Sequence, residues 1–269
     1  MNPIISVVMP AYKEPSSYLT QSIESILNQT LTDFELIIIL DNPENKELEN
    51  LILNYKKKDD RIVFLKNKEN MGIAKTLNKG IEKSKGKYIA RLDADDIAYP
   101  ERLKKQLKIM ENEKCYLVGS KADYINNQGE FVENLASEIS PFYKYEEIKN
   151  NIIKFNFFIH PSLMFKKELI EKIGDYDSNF KFTEDYDLVL RTINQYKCVI
   201  TPEHLIKYRI NKNGLTQNNM IPMLIYTIKA KLNAIMKYGY PKKDLLVIFN
   251  PIVYFKYYSK KLKIFNKSN

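Results

Sequence analysis

Tryptophan is absent from this 269-residue chain, and cysteine, histidine and glycine are scarce, at two, two and eight. Each scarcity excludes something. Cys115 and Cys198 are too few and too far apart for a disulfide framework or a structural zinc site, and no His/Cys cluster accompanies them, so a reducing cytoplasm is the expected setting. Neither G-x-G-x-x-G nor G-x-x-x-x-G-K-[ST] occurs, which argues against a dinucleotide fold of the usual kind, a P-loop and a glycine-rich phosphate cradle. Met1-Asn2-Pro3-Ile4 runs into an apolar segment without the basic region or cleavage site of a signal peptide. The apolar run Leu245–Phe255 carries Asn250 and Pro251 and falls short of the roughly 20 residues a bilayer-spanning helix needs. It is expected to lie on a membrane, not to cross one.

Acids are scarce in one place only. Ile221–Asn269 holds ten lysines, no arginine and a single acid, Asp244, so this segment carries +9, the whole formal charge. Residues 1–220 balance 32 basic against 32 acidic side chains. A neutral body with a basic end suggests an anionic membrane surface as partner more than nucleic acid, with a merely solvated lysine-rich end as the plain alternative. Within it, Ile225, Ile228, Leu232, Ile235 and Met236 form an apolar helical stripe beside Lys229, Lys231 and Lys237.

At 44% hydrophobic residues the chain can bury a substantial core. Its first 120 residues alternate two periodicities. Near-continuous apolar runs at Ile4–Met9, Glu35–Leu40, Arg61–Leu65 and Lys87–Leu92 predict strands. Helical spacing at Leu19, Ile23, Ile26 and Leu27, across Lys46–Lys56, and at Ile73, Leu77 and Ile81 predicts helices between them. That alternation predicts an α/β fold, a doubly wound and mostly parallel sheet covered on both faces. From residue 121 the pattern shifts towards a mixed sheet, with strands at Ser162–Phe165 and Leu205–Ile210 and a helix at Glu184–Gln195, and the character changes again near 220.

Ligands of such sheets bind beyond the carboxyl ends of the strands. Four polar, turn-prone segments stand there: Pro10-Ala11-Tyr12-Lys13-Glu14, Asp41-Asn42-Pro43, Asn70-Met71-Gly72 and Asp93-Ala94-Asp95-Asp96. Three carboxylates in four positions repel one another and resist desolvation, so they call for a cation or a set of donors. A hard divalent ion such as manganese or magnesium, carrying a diphosphate, fits that requirement. Capping of a helix begun by Pro100 accounts for one carboxylate and leaves two.

Taken together, Val7–Glu14, Ser25–Thr30, Asp33–Ile38, Asn70-Met71-Gly72 with Asn78, and Leu92–Asp96 resemble the family 2 glycosyltransferases of the GT-A fold, over roughly residues 4–218. The resemblance implies a nucleotide-sugar-binding half at 1–120, an acceptor-binding and catalytic-base half at 121–220 with a smaller mixed sheet, and a basic amphipathic helical tail at 221–269. It implies transfer of a hexose, galactose or glucose, with inversion, from a UDP-sugar to a lipid-linked saccharide at the inner face of the cell membrane, with Mn2+ or Mg2+ as cofactor and no nucleic acid. Asp95 would be the main metal ligand, with Asp93 near the donor and Asp96 near the sugar or acceptor. Asp41 would read the nucleobase, although Leu40 and Asn42-Pro43 depart from the family pattern and an Asx-turn would also place an aspartate there. Pro10, Ala11, Tyr12, Glu14, Asn70, Gly72 and Ala94 would complete the donor pocket.

Phe182-Thr183-Glu184-Asp185 resembles the family's Glu-Asp motif, making Asp185 the general base with Glu184 beside it. The same window is also a good helix start, with Thr183 as cap, acids in the first turn and Asp187 paired to Arg191. His160, before Pro161-Ser162, is a candidate for the acceptor or diphosphate site or a structural histidine. Arg209, followed by Asn211, Asn213 and Thr216, belongs either to a flap over the diphosphate or to a strand edge as a surface charge. A nucleotidyltransferase or a non-catalytic binding protein of the same fold is the alternative.

Overall fold

The computed structural model describes residues 2–132, 143–210 and 219–250. The first half is wound as the periodicities require. It runs β1 (Ile5–Ala11), α1 (Ser16–Leu27), β2 (Phe34–Leu40), α2 (Lys46–Lys56), β3 (Ile62–Lys66), α3 (Ile73–Lys83), β4 (Tyr88–Arg91), β5 (Ile97–Ala98) and α4 (Arg102–Asn112). The second half adds β6 (Leu117–Ile125), α5 (Tyr145–Asn151), β7 (Met164–Lys166), α6 (Lys167–Ile173), α7 (Glu184–Ile193), β8 (Cys198–Arg209), α8 (Met220–Lys237) and the single turn α9 (Leu245–Ile248).

The described strands form one eight-stranded sheet in the order β3-β2-β1-β4-β7-β6-β8-β5. β3, β2, β1 and β4 are parallel. β7 runs antiparallel to both β4 and β6, and β6 pairs in parallel with β8. The mixed part expected on the acceptor side is therefore a continuation of the first sheet. β1 and β2 are buried along their whole length, and their side chains alternate between two cores. Val7 and Met9 pack with α1, α2 and α4 through Leu19, Ile23, Leu48, Ile52 and Leu103. Val8 faces the opposite side with Leu77, Leu169, Leu188 and Ala230 of α3, α6, α7 and α8.

Two strands escaped the sequence reading. β6 carries Lys121 and Asp123 in a pattern too polar to read as a buried strand, and β5 is only two residues long. β8 begins seven residues earlier than expected, because the strand passes through Thr201-Pro202-Glu203 instead of starting after it. Its register to β6 shifts from Ser120↔Thr201 to Lys121↔His204, so Pro202 and Glu203 stand outside the ladder, where a missing N–H costs nothing.

The entry to β4 is fastened to β1 and β2. Glu35 accepts from the Ser6 hydroxyl at 2.6 Å and from Lys85 N–H at 2.6 Å, while Gly86 N–H donates to Ser6 Oγ at 2.8 Å. A Cβ on Gly86 would stand 2.5 Å from the Ser6 nitrogen, so only glycine permits this approach. β4 thus leaves its neighbours in fixed register with the aspartates at its far end.

The C-terminal helix is turned differently from a simple amphipathic expectation. α8 faces α7 with Ala230, Lys231 and Ala234; of the apolar stripe Ile225 and Met236 are exposed, Ile228 and Leu232 half-buried, and Ile235 packs against the core. Lys231, 1% exposed, donates to Lys154 O at 2.8 Å. The tail beyond residue 250 lies outside the described residues. Among the described residues no helix is long and apolar enough to cross a membrane.

Burial pushes the Lys231 ammonium down to about 7. Between that value and the ordinary lysine value of 10.5 the unfolded chain holds a proton that the folded chain has released, so folding stability rises with pH across this window and the gain is lost as pH falls to 7. Lys231→Met is expected to remove that slope. Denaturation of both proteins at pH 7 and pH 9 should show the wild type gaining up to about 2 kcal/mol relative to the variant.

Candidate active site

β1, β2, β3 and β4 end on one edge of the sheet, and the segments after them meet there. Pro10 and Ala11 correct the sequence expectation: they are the last residues of β1, paired with Ile39 and Leu40, and are buried in the sheet instead of lining a loop. Tyr12 begins the loop proper. Its N–H donates to Glu14 Oε2 at 2.7 Å, and Lys13 Nζ lies 4.9 Å from its ring centroid. Burial, and the Asp93 charge against the lowering effect of the backbone donors, raise the Glu14 carboxyl.

Asp41 is buried at the end of β2 and organises the loop after β3. Its Oδ1 accepts from Asn67 Nδ2 at 2.6 Å and Met71 N–H at 2.8 Å, and its Oδ2 from Gly72 N–H at 3.0 Å. Asn70 Oδ1 accepts from the same Gly72 N–H at 3.0 Å. Gly72, at φ 79°, sits in the left-handed region as α3 begins. The Asx-type contact in this segment belongs to Asn42, whose Oδ1 accepts from Glu44 N–H at 3.3 Å.

At the end of β4, one oxygen from each of Asp93, Asp95 and Asp96 lies within 4.8 Å of the others. Two oxygens coordinated to one divalent cation at 2.0–2.6 Å stand no more than about 5 Å apart, so the spacing fits such an ion. Each carboxylate has a different surrounding. Asp93 is bidentate to Arg91, whose carbonyl accepts from the buried Arg102 at 2.6 Å. Asp95 accepts no hydrogen bond from another described residue through its carboxylate, and burial, then Asp93 and Glu14, push it up to about 7. Asp96 is 1% exposed, accepts from Arg209 N–H at 2.8 Å through Oδ1, and has no partner for the buried Oδ2. Burial first, then the Asp95 and Asp93 charges, raise it well above the carboxylate range. An open carboxylate and an orphaned buried oxygen beside two more acids are the donor set a hard cation takes. Ala94, between them, is buried.

Neither Asp95 nor Asp96 caps a helix, because α4 starts at Arg102 after Glu101. Arg209 is not a surface charge either. Its guanidinium donates to Asp95 O at 2.9 Å, Asn126 O at 3.0 Å and Gln21 Oε1 at 2.8 Å, and lies 4.1 Å from the Tyr18 ring centroid. It binds the aspartate loop to α1 and the end of β6. Asn211, Asn213 and Thr216 lie outside the described residues.

The second acidic pair opens α7. Asp185 Oδ2 accepts from Asn156 Nδ2 at 2.9 Å, and Asn156 Oδ1 in turn accepts from Phe158 N–H at 3.0 Å. Burial, then Asp185, push Glu184 up to about 7, and the charges of Arg91 and Asp93 also reach it. Thr183 holds the N-cap position, but its buried hydroxyl makes no cap hydrogen bond. Asp187 and Arg191 are structural: they pair at 2.8 Å, Tyr238 OH donates to Asp187 at 3.0 Å, and Arg191 ties down Ile173 O, Gly174 O and Asp175 O.

Tyr176 lies within reach of both acidic groups, since the charges of Asp93, Glu184 and Asp185 all act on it, and His160 joins it. His160 Nε2 and Tyr176 OH are 3.0 Å apart, and burial with the nearby Arg91 charge holds the imidazole neutral, well below its ordinary pKa. Tyr176 is fixed by a two-way pairing of its backbone with Asn78, at 2.8 and 3.0 Å. Arg91, Asn156 and Tyr176 were missed by the sequence reading. Arg91 adjoins the aspartates, whereas Asn156 and Tyr176 carry no local signal and reach the site only through the second half's packing.

Solved structures share this architecture. S. aureus TarS (residues 1–349) in complex with UDP-GlcNAc superposes with a TM-score of 0.70 at 16% identity, covering 92% of this chain and 70% of that one. The mannosyltransferase PcManGT of Pyrobaculum calidifontis, in complex with GDP-Man and Mn2+, superposes at 0.67 with 14% identity, covering 100% and 73%. The fold is that of the GT-A glycosyltransferases. Residues 6–174 match the model for glycosyl transferase family 2, and the chain belongs to that family. An uncharacterized glycosyltransferase of Methanocaldococcus jannaschii is 47% identical over 211 residues, 77% of this chain and 71% of the relative. The O-antigen biosynthesis glycosyltransferase WbnJ of Escherichia coli is 37% identical over 222 residues, 81% of this chain and 84% of the relative.

Asp95, raised from 3.8 to about 7, stays protonated in the fold where the unfolded chain has ionised, so its stabilising contribution is lost as pH rises through 7. Chelator-treated protein is therefore expected to melt higher at pH 5 than at pH 7.5. Asp95→Asn should raise melting at pH 7.5 in chelator and abolish the rise that manganese gives the wild type. An unchanged manganese response in the variant would remove Asp95 from the metal site.

Proposed function

We propose that this chain is an inverting, metal-dependent hexosyltransferase that moves galactose or glucose from a UDP-sugar to a lipid-linked saccharide in surface polysaccharide synthesis. The observation that carries the reading is the meeting of two acidic groups with different tasks. Asp93, Asp95 and Asp96 crowd the end of β4, and Asp185 opens α7 with its Oδ2 held by Asn156. Relatives named for O-antigen and amylovoran biosynthesis support the polysaccharide class, and neighbours solved with UDP-GlcNAc or with GDP-Man and Mn2+ support a nucleotide-sugar donor and a divalent cation.

In this reading Asp95 and Asp93, with Asp96 behind them, hold the cation. A cation held there would supply positive charge to the leaving diphosphate. The chain's own groups do the rest. Asp41, which already holds Asn67 and the Met71 and Gly72 amides, would read the nucleobase, with Tyr12, Glu14, Asn70 and Gly72 bordering the nucleotide. Asp185 takes the proton of the acceptor hydroxyl as that oxygen bonds the anomeric carbon, on the side opposite the bond that breaks to UDP. Asn156, donating to Asp185 Oδ2, orients the carboxylate for this transfer. Glu184, buried beside it, is pushed towards its neutral form by burial and then by the Asp185 charge. His160, neutral and joined to Tyr176, holds that phenol within reach of both acidic groups. The enzyme works at the inner face of the cell membrane, where its basic C-terminal segment meets anionic lipid.

UDP release from a panel of UDP-sugars with a lipid-linked acceptor preparation tests this. Asp185→Asn keeps an oxygen for the Asn156 bond and should lower kcat by about 10²–10⁴-fold while UDP affinity stays within about twofold. Wild-type turnover in the variant would place the base elsewhere, and no turnover of any UDP-sugar by folded, manganese-loaded protein would refute the donor class.

A further inference from the structure

An amphipathic helix docked on a globular body normally buries its apolar stripe. α8 does the reverse. Its inner face is built on Ala230, Lys231 and Ala234 with only Ile235 of the stripe packed against the core, and is secured by Lys231 to Lys154 O and by Tyr238 OH to Asp187. Ile221, Ile225, Ile228, Leu232 and Met236 are spaced by three and four residues, with Ile221, Ile225 and Met236 exposed, Ile225 at 60% and Met236 at 76%, and Ile228 and Leu232 half-buried between them. The chain then turns at Gly239, anchors Tyr240 OH on Leu190 O at 3.0 Å, and buries Ile248 while leaving Leu246 and Phe249 exposed. Six of the nine exposed large hydrophobic residues of the described chain fall between 221 and 249. Such a concentration marks an interaction surface.

We infer that the outer stripe of α8, with Leu246 and Phe249, is a docking surface that inserts into the headgroup layer of an anionic bilayer. This gives the membrane contact in the functional reading above a definite face, and rests on that reading only for what the contact serves. The charge around the stripe chooses the occupant. Lys237, Lys242 and Lys243 are exposed in the same stretch, within a segment of ten lysines and one acid. Apolar side chains rimmed by lysines match the boundary between acyl chains and anionic headgroups. A second copy of the chain would bring two segments of +9 together.

The inner side of the same helix reaches the candidate base. Tyr226 packs edge-on against Phe182 with ring centroids 6.4 Å apart, and Lys229 donates to Asn179 O at 3.1 Å while lying 5.2 Å from the Phe180 ring centroid. Phe182 has φ 68°, a left-handed conformation that a non-glycine residue holds only when its surroundings impose it, and Thr183-Glu184-Asp185 follow directly. The helix that meets lipid therefore also braces the turn that presents Asp185, and docking fixes that turn relative to the membrane surface from which a lipid-linked acceptor rises.

The test is flotation of the full chain with vesicles of phosphatidylcholine alone and of phosphatidylcholine mixed equally with phosphatidylglycerol, for wild type and for the double variant Ile225→Glu/Met236→Glu. Wild type should float with the anionic vesicles only, and the double variant should bind at least about tenfold more weakly with unchanged melting in buffer. The inference is overturned if wild type stays with neither vesicle, or if the variant floats as well as wild type, which would leave binding to lysines alone. It is equally overturned if the variant melts lower in buffer, since the stripe is then covered by the chain's own residues, or if sedimentation shows a dimer that the variant dissociates. UDP release measured without vesicles, using a soluble sugar acceptor, separates the two readings: its absence from floating wild type sinks the transferase reading and leaves the docking surface standing.

Discussion

Like charges forced together at the end of β4 set the terms for the rest of this structure. Asp93, Asp95 and Asp96 gather within reach of one cation, with Glu14 adding a fourth carboxyl from the loop after β1. Burial makes their repulsion stronger than it would be in water. Three arginines hold the cluster in place: Arg91 pairs with Asp93 and offsets its charge, Arg102 grips the Arg91 carbonyl, and Arg209 grips the Asp95 carbonyl while its own N–H binds Asp96. The backbone is fixed by these contacts, and the open carboxylate of Asp95 is left for a ligand. A site so arranged gives up stability in the empty protein and regains it on binding, the usual relation between stability and function at a preorganised centre.

The sheet explains why the acids meet. Only strands that end on the same edge can deliver residues from positions 14, 41, 70 and 93 to one place, and the parallel order β3-β2-β1-β4 does this. The segments before and after the antiparallel strand β7 supply Asn156 and His160, and then Tyr176 and the start of α7. Asn78 of α3, pairing with Tyr176 at both backbone groups, is a direct link between the two halves.

The parallel half was legible in the sequence because its signals are local. Continuous apolar runs place β1 to β4 within a residue or two, i, i+4 spacing marks α1 and α3, and α2 was bounded at Lys46 and Lys56 as it stands. The aspartate cluster was legible for the same reason, since crowded carboxylates demand a partner wherever they occur. Long-range contacts were not legible. The inward turn of Lys231 reverses what the stripe at Ile225 and Met236 predicts, Arg209 is buried where a strand-edge charge was an equal reading, and the role of Asn156 depends on a contact 29 residues away. Pro10 and Ala11 were misplaced by the two residues that separate a strand end from its loop.

The central claim is that the aspartates at the end of β4 bind a nucleotide diphosphate through a divalent cation. Calorimetric titration of UDP into the protein, with manganese and then with chelator, tests it most directly. The account predicts saturable binding in manganese that vanishes in chelator, because four acidic groups would otherwise face the diphosphate without compensation. Equal UDP affinity with and without the cation would contradict it.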